Sequence, residues 1–285
     1  NPSGIITEAI LNHTTVRAIG LCNVPICVKM EIARLLNIDA QKIKLQFVGL
    51  NHMGFITSVE LNGQNIINEI IPQLANINED YRLLSLMKYE ESFLRTLGML
   101  PNPYNRFYYR NKDMLSEMLQ QAQTIGTRAK QVIDIENNLF QVYSNESLCE
   151  KPQELDKRGG AFYSEAAISL VESIYTNRGD HHVVNILNQG TIAELPNDAV
   201  IETDAIVNEK GAKAVCKVEM PDRISGILSH VKAYEQLTVK AAVTQSADAA
   251  LFALVNHPLM HDYNTTKAIF EELLTAHSEY LSYLQ

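Results

Sequence analysis

Residues 42–52 read KIKLQFVGLNH, in which Ile43, Leu45 and Phe47 alternate with Lys44 and Gln46. Alternation with period two predicts a strand with one buried face, because successive side chains of an extended chain point to opposite sides. The strand is expected to end at Gly49, with His52 just beyond it, and FITSVELNG at 55–63 supplies an antiparallel partner. A hairpin of this kind set among long helical stretches points to an α+β chain rather than to an all-helical one.

The helical stretches surround it on both sides. SGIITEAILNHT at 3–14 predicts a helix opened by Ser3 as N-cap, and VRAIGL at 16–21 predicts a short strand. After Asn23 and Pro25, the apolar residues Val28, Ile32, Leu35 and Leu36 share one helical face. Residues 64–98 read as helical; LGMLPNPYNRFYYRN at 97–111 breaks the pattern with two prolines and an aromatic cluster. A long helical region is expected over 112–144, then a polar break, EKPQELDKRGG, and a helix over AFYSEAAISLVESIY. Three or four short strands are expected over 182–218, separated by the turn-forming NRGD, LPND and NEKG. The remainder reads as helix interrupted at His257-Pro258, with a last helix after Asn264 carrying Ile269, Leu273, Tyr280, Leu281 and Leu284 on one stripe. There is no internal repeat, and one α+β domain of mixed short strands and long helices over residues 1–285 fits this order.

Composition narrows the function. The formal net charge of −9 disfavours nucleic-acid binding, which calls for a basic surface. No apolar run reaches the roughly 18–20 residues that span a bilayer, so no membrane partner is expected. Four cysteines in 285 residues do not make a disulfide framework and read as reduced thiols of a cytoplasmic protein. No G-x-G-x-x-G occurs, so the chain carries no dinucleotide-binding fingerprint of its own.

Few residues stand out as chemically active. Cys22 lies just before a helix start, where aligned backbone dipoles favour a thiolate, the metal-binding and nucleophilic form. Cys27 falls one turn into that helix, on the side of Glu31 and Arg34. C-x4-C is looser than most zinc pairs and no second pair follows, so spacing alone also allows two ordinary thiols. His52, at a strand end, could join Cys22 as half of a metal site, or could be a hydrogen-bonded structural histidine. Tyr104, Tyr108 and Tyr109 form either an aromatic plug or, for a tyrosine near positive charge, a base. Arg128 has the guanidinium fork that suits a phosphate, and reads equally as a helix-surface charge. Arg178-Gly179-Asp180 reads as a turn.

Taken in order, NPSG (1–4), CNVP (22–25), GLNH (49–52), PNPYNRFYY (101–109), TRA (127–129), RGGAFYS (158–164), HVVNILNQGTIAELPNDAVIE (182–202) and the EQLTVKAAV helix resemble glycoside hydrolase family 4, in particular its 6-phospho-β-glucosidases. The resemblance implies an N-terminal NAD-binding domain followed by a C-terminal domain like that of lactate and malate dehydrogenases. NPSG closes the nucleotide domain in the family, so the chain is expected to be the C-terminal metal- and substrate-binding domain, without a preceding nucleotide domain of about 150 residues, and inactive by itself. The abrupt start within that motif is expected of a truncated chain.

The mechanism implied by the resemblance is oxidation, elimination and addition: NAD+ takes hydride from C3 of the sugar, the resulting ketone acidifies the C2 proton, a tyrosine removes that proton, the glycosidic bond breaks, water adds and hydride returns. By motif, Cys22 and His52 are implied as ligands of a divalent metal, Mn2+ in the family, and Tyr104 as the base. Asn1 and Asn23 are implied as contacts to the sugar or its phosphate, and Arg128 as a phosphate ligand. The implied substrate is a phosphorylated disaccharide or aryl glucoside, and the implied assembly a homodimer or homotetramer. Asn23 favours the β-linked class, since α-specific relatives carry Asp there. Asn105 departs from the Leu that usually follows the base tyrosine, and Cys27 replaces a small residue. The metal and Arg128 together are expected to favour tyrosinate at Tyr104. The other readings are a 6-phospho-α-glucosidase or α-galactosidase of the same family, and a non-catalytic oligomerisation scaffold.

Overall fold

The structure is a computed structural model that describes residues 2–78 and 80–284, with residue 156 in its backbone only. In chain order the elements are α1 (Ser3–His13), α2 (Val24–Leu35), β1 (Ile43–Leu50), β2 (Met53–Leu61), β3 (Gln64–Asn65), α3 (Ile67–Ala75), α4 (Glu91–Leu97), β4 (Leu100–Pro101), α5 (Arg106–Tyr109) and α6 (Asn111–Thr124). They continue with α7 (Arg128–Tyr143), α8 (Glu154–Arg158), α9 (Tyr163–Tyr175), β5 (Asp180–Leu187), β6 (Val200–Asn208), β7 (Gly211–Ala214), α10 (Asp222–Thr244), α11 (Ala247–Val255), α12 (Tyr263–Ala276) and α13 (Ser278–Leu281). Two antiparallel sheets result, β1-β2-β3 with β4 pairing β2 along the same edge as β3, and β5-β6-β7. The α+β expectation is met.

The β1–β2 hairpin behaves as its alternation predicts only up to Gln46. There Ile43 and Leu45 are buried and Lys44 is exposed. A register shift between Gln46 and Phe47 kinks the pair. Beyond it both faces are covered: Phe47 joins a core with α2 and α3, while Val48 and Leu50 join a second core with Ile201 of β6 and Ile224 and Leu228 of α10. Thr203 of β6 donates from its hydroxyl to the carbonyl of Phe47 at 3.4 Å, tying the two sheets. The two-residue turn Asn51-His52 therefore emerges from the most enclosed end of the hairpin.

Several expected boundaries move. Pro2, not Ser3, precedes α1, and it makes no side-chain cap; Ser3 is buried in the first turn. VRAIGL makes one isolated bridge, Gly20 to Asn185, instead of a strand. Residues 64–98 hold only α3 and α4 as α-helices, with turns between. The helical region after 112 breaks at Gly126, whose φ of 87° ends α6 and lets Thr127 cap α7 by accepting from the Lys130 N–H. The expected last helix is split into α12, which begins at Tyr263 and is capped by Asp262, and α13, and its stripe stays largely open to solvent, with Leu273 and Tyr280 exposed. In the NRGD turn, Arg178 is ion-paired to Asp180 and Glu172.

Buried polar residues gather where α1 and α10 meet β5 and β6. Lys232 of α10 is 2% exposed and pairs with Glu8 of α1 at 2.8 Å and Glu235 at 2.5 Å. Its ammonium also donates to the carbonyl of Val200, and Glu8 accepts from the Val200 N–H.

Candidate active site

Above that polar layer, segments far apart in sequence converge. Cys22 ends the extended run that follows α1, and it is held there by two backbone bonds between Gly20 and Asn185, at 3.0 and 2.8 Å. His52 occupies the hairpin turn with φ 65°, a left-handed conformation that histidine tolerates better than most side chains. Its ring packs on that of Tyr104, with centroids 4.3 Å apart and planes inclined by 38°. Tyr104 is placed by Asn102, whose side-chain oxygen accepts from the Tyr104 N–H at 2.9 Å. Asn105 accounts for its own departure from Leu: wholly buried, it donates from its amide to the carbonyl of Gly54 at 3.2 Å and pins the tyrosine turn to the start of β2.

The electrostatics differ from expectation in two places. The Val24 N–H at the start of α2 and the Asn51 amide do favour a thiolate at Cys22, but burial and the carboxylate of Glu202 outweigh them and push the thiol up to about 12. The Tyr104 phenol is likewise raised, by burial and by Cys22; Arg106, Arg82 and Arg128 pull it down without prevailing. Burial lowers His52, which keeps the imidazole neutral and able to act as a ligand. Both unexpected shifts come chiefly from desolvation.

That donor set is the test of a metal site. Among the described residues no three His, Cys, Asp or Glu side chains are grouped to hold an ion. A thiol and a neutral imidazole are two donors, and they leave coordination positions open for oxygens of a substrate or water, as a Lewis-acid role requires. One buried Glu202 oxygen nearby has no hydrogen-bond partner. The residues fit a divalent ion held partly by its substrate.

Arg128 opens α7 and is exposed; its guanidinium donates to the carbonyls of Lys157 and Arg158 at 3.0 and 3.3 Å. With Arg82 and Arg106 it forms the positive side of the site, acting on Tyr104. Asn23 is half-buried, and its amide donates to the carbonyl of Ala161 at 2.9 Å and to the Cys27 sulfur at 3.5 Å. Asn1 lies outside the described residues. Tyr108 and Tyr109 face other aromatic groups, His257 for the one and Tyr89 and Phe93 for the other.

Sequence reasoning missed four contributors. Cys27 is not idle: it is buried, and its thiol donates to the carbonyl of Ala161 at 3.2 Å. That bond holds the loop Gly159–Phe162, where Gly159, Gly160 and Phe162 all have positive φ. The loop leads into Tyr163, whose phenol is pushed up by burial and by Cys22, Tyr104 and Glu202, against the pull of the Asn23 backbone. Asn51 was passed over beside His52. Glu202 sits in VIETDAIV, where Glu202 and Asp204 share one side of the strand as a solvent-facing pair would; that Glu202 is buried had no sequence signal.

Residues 47–260 match the family described as the family 4 glycosyl hydrolase C-terminal domain. The chain belongs to this family. Within this family 4 domain, His52, Tyr104, Arg128 and Glu202 fall inside the matched residues, and Cys22 and Asn23 precede them. A Bacillus subtilis protein named as a probable 6-phospho-beta-glucosidase is 37% identical over 284 residues, and the Escherichia coli 6-phospho-beta-glucosidase 32% over 287. Each alignment takes in 99% of the chain but 64% of the relative, so the chain spans just under two thirds of their length. The 6-phospho-beta glucosidase of Thermotoga maritima, in a crystal structure with manganese, NAD+ and glucose-6-phosphate, superposes with a TM-score of 0.86 at 35% identity, covering 98% of this chain and 65% of that one.

Proposed function

We propose that this chain is the metal- and substrate-binding domain of an NAD- and divalent-metal-dependent 6-phospho-β-glucosidase, which hydrolyses phosphorylated β-glucosides. One observation carries the reading: in a family 4 domain, Cys22, His52 and Tyr104, drawn from three separate segments, stand together beside three arginines. The named relatives and the ligands of the Thermotoga maritima crystal support the same choice. A bound Mn2+ supplies Lewis acidity and NAD+ a hydride acceptor.

The protein groups divide the remaining work. Cys22 and His52 hold the ion, and Tyr104 removes the proton from C2 of the oxidised sugar. Arg128, with Arg82 and Arg106, receives the phosphate, for which a guanidinium fork is suited in charge and shape. Asn1 and Asn23 contact the sugar or its phosphate; with its amide nitrogen committed to Ala161, Asn23 has its side-chain oxygen to offer a hydroxyl. The substrate is a phosphorylated disaccharide or aryl glucoside. Cys22 must stay reduced to serve, which suits the cytoplasm. Exposed Leu115, Met118 and Leu119 on α6 and Ile133 and Phe140 on α7 favour assembly into a homodimer or homotetramer.

The test is hydrolysis of p-nitrophenyl 6-phospho-β-glucoside and its α anomer by the full-length protein, with and without NAD+ and Mn2+. Cleavage of the β anomer alone, dependent on both additions, is expected. Cleavage independent of NAD+ would overturn the mechanism, and preference for the α anomer would overturn the substrate. The 285 residues assayed by themselves are expected to show no turnover.

A further inference from the structure

Glu202 lies mid-strand in β6 with none of its surface exposed. Its Oε1 accepts two hydrogen bonds, from Asn51 Nδ2 at 3.0 Å and from Asn185 Nδ2 at 3.1 Å. Its Oε2 is buried and has no hydrogen-bond partner. Both hydrogen-bond partners are neutral amides, while the buried Lys232 is engaged by Glu8 and Glu235. A fully buried carboxylate without a cation is costly, and folds keep one where a charge arrives to balance it or where its geometry is needed.

The two amides show what the geometry does. Asn51 immediately precedes His52. Asn185 exchanges backbone hydrogen bonds with Gly20, two residues before Cys22. A single carboxylate oxygen thus joins the segment that carries the thiol to the turn that carries the imidazole. Glu202 is not itself grouped with them as a ligand among the described residues, so it acts through the two asparagines.

We propose that Glu202 is the positioning residue of the metal centre: Oε1 fixes the Cys22 and His52 segments in one geometry through Asn185 and Asn51, and the buried charge is balanced by the divalent cation that Cys22 and His52 hold. This rests on the reading of Cys22 and His52 as metal ligands. It explains why a carboxylate that raises the Cys22 thiol in the metal-free chain is kept there: the pair of negative groups becomes favourable once an ion of charge two is bound. Outer partners of this type commonly change metal affinity by about 10- to 100-fold when altered.

The experiment is Mn2+ titration of the metal-free chain, read by the electron paramagnetic resonance of the free ion and paired with a thermal melt of each variant. Wild type is expected to take up Mn2+ and Cys22→Ser to lose it. Glu202→Gln keeps the acceptor oxygen and removes the charge, and is expected to weaken Mn2+ binding by about 10- to 100-fold. Glu235→Gln, also buried but paired to Lys232, is expected to lower the melting temperature and leave the Mn2+ affinity within about twofold. If Glu202→Gln bound Mn2+ like wild type, the inference would fall while the Cys22–His52 reading stood. If affinity in both glutamine variants merely tracked lost stability, Glu202 would be structural. No uptake by wild type would overturn the reading and the inference together. Should Glu202→Gln not fold, Asn185→Ala decides the matter: it removes the amide that ties the Cys22 segment to Glu202 and keeps the carboxylate, and an unchanged affinity overturns the positioning role.

Discussion

Gly20 has no room for a methyl group. A Cβ there would stand 2.3 Å from Thr7 Oγ1 and 2.7 Å from both Asn185 Cβ and Ser3 Oγ. Gly20→Ala is therefore expected to cost about 1–3 kcal/mol, read as a lower denaturation midpoint, and to weaken metal uptake because Cys22 is displaced with it. At Tyr104 the chemistry is decided by one oxygen. Tyr104→Phe keeps the ring on His52 and removes the phenol, so turnover by the full-length protein should fall about 100- to 10,000-fold with Mn2+ binding unchanged. Near-wild-type rates would place the base elsewhere. Glu202 sets a pH dependence: burial raises its carboxyl from 4.5 to about 7, against the pull of Asn51 and Asn185. Between those values the folded metal-free chain keeps a proton that the unfolded chain has released. The stability this provides is full below about pH 4.5 and is lost as pH rises through about 7. The melting temperature of wild type relative to Glu202→Gln should decline over that interval, and a parallel pair of curves would contradict it.

Among the elements, α2 works as a clamp as well as a core helix. Its Val28 and Ile32 face the core, as the spacing of apolar residues predicted, but Cys27, assigned from the same helical wheel to the polar side, grips the Gly159–Phe162 loop together with Asn23. A wheel reports which residues share a face, not which loop returns to cover it 134 residues later. Cys27→Ala is expected to speed proteolysis and amide exchange at 159–163 severalfold while leaving Mn2+ binding intact; equal cleavage rates would show that Asn23 alone holds the loop. The β1–β2 hairpin was legible for the same local reason as the α2 stripe, since both depend on near neighbours. The split of 112–144 into α6 and α7 depended on one glycine with φ 87° and a threonine cap, both local, and was still overlooked because apolar residues continue across the break.

Across the whole molecule, the ion pairs between Lys232, Glu8 and Glu235 join α1 to α10, with Glu8 and Lys232 224 residues apart in sequence. All three side chains are nearly excluded from water, so removing the cation strands two carboxylates. Lys232→Met is expected to destabilise the chain by about 3–5 kcal/mol in chemical denaturation. A loss below about 1 kcal/mol, the range of exposed pairs, would mean that water reaches the carboxylates in solution. This polar layer lies beside Asn185 and Glu202.

The amino-acid sequence by itself determined the α+β class, the hairpin ending at His52, the stripe of α2, and the ordered motifs that resemble glycoside hydrolase family 4. These are carried by local periodicity, turn chemistry and residue identity. Only the tertiary structure decided that Cys22 is buried and protonated without an ion, that Tyr104 lies on His52, and that Glu202 links the two segments from beneath. The reason is physical: burial and charge at each group depend on every segment packed around it. The residues that set them here, at 22, 51, 104, 185 and 202, are neighbours in space alone.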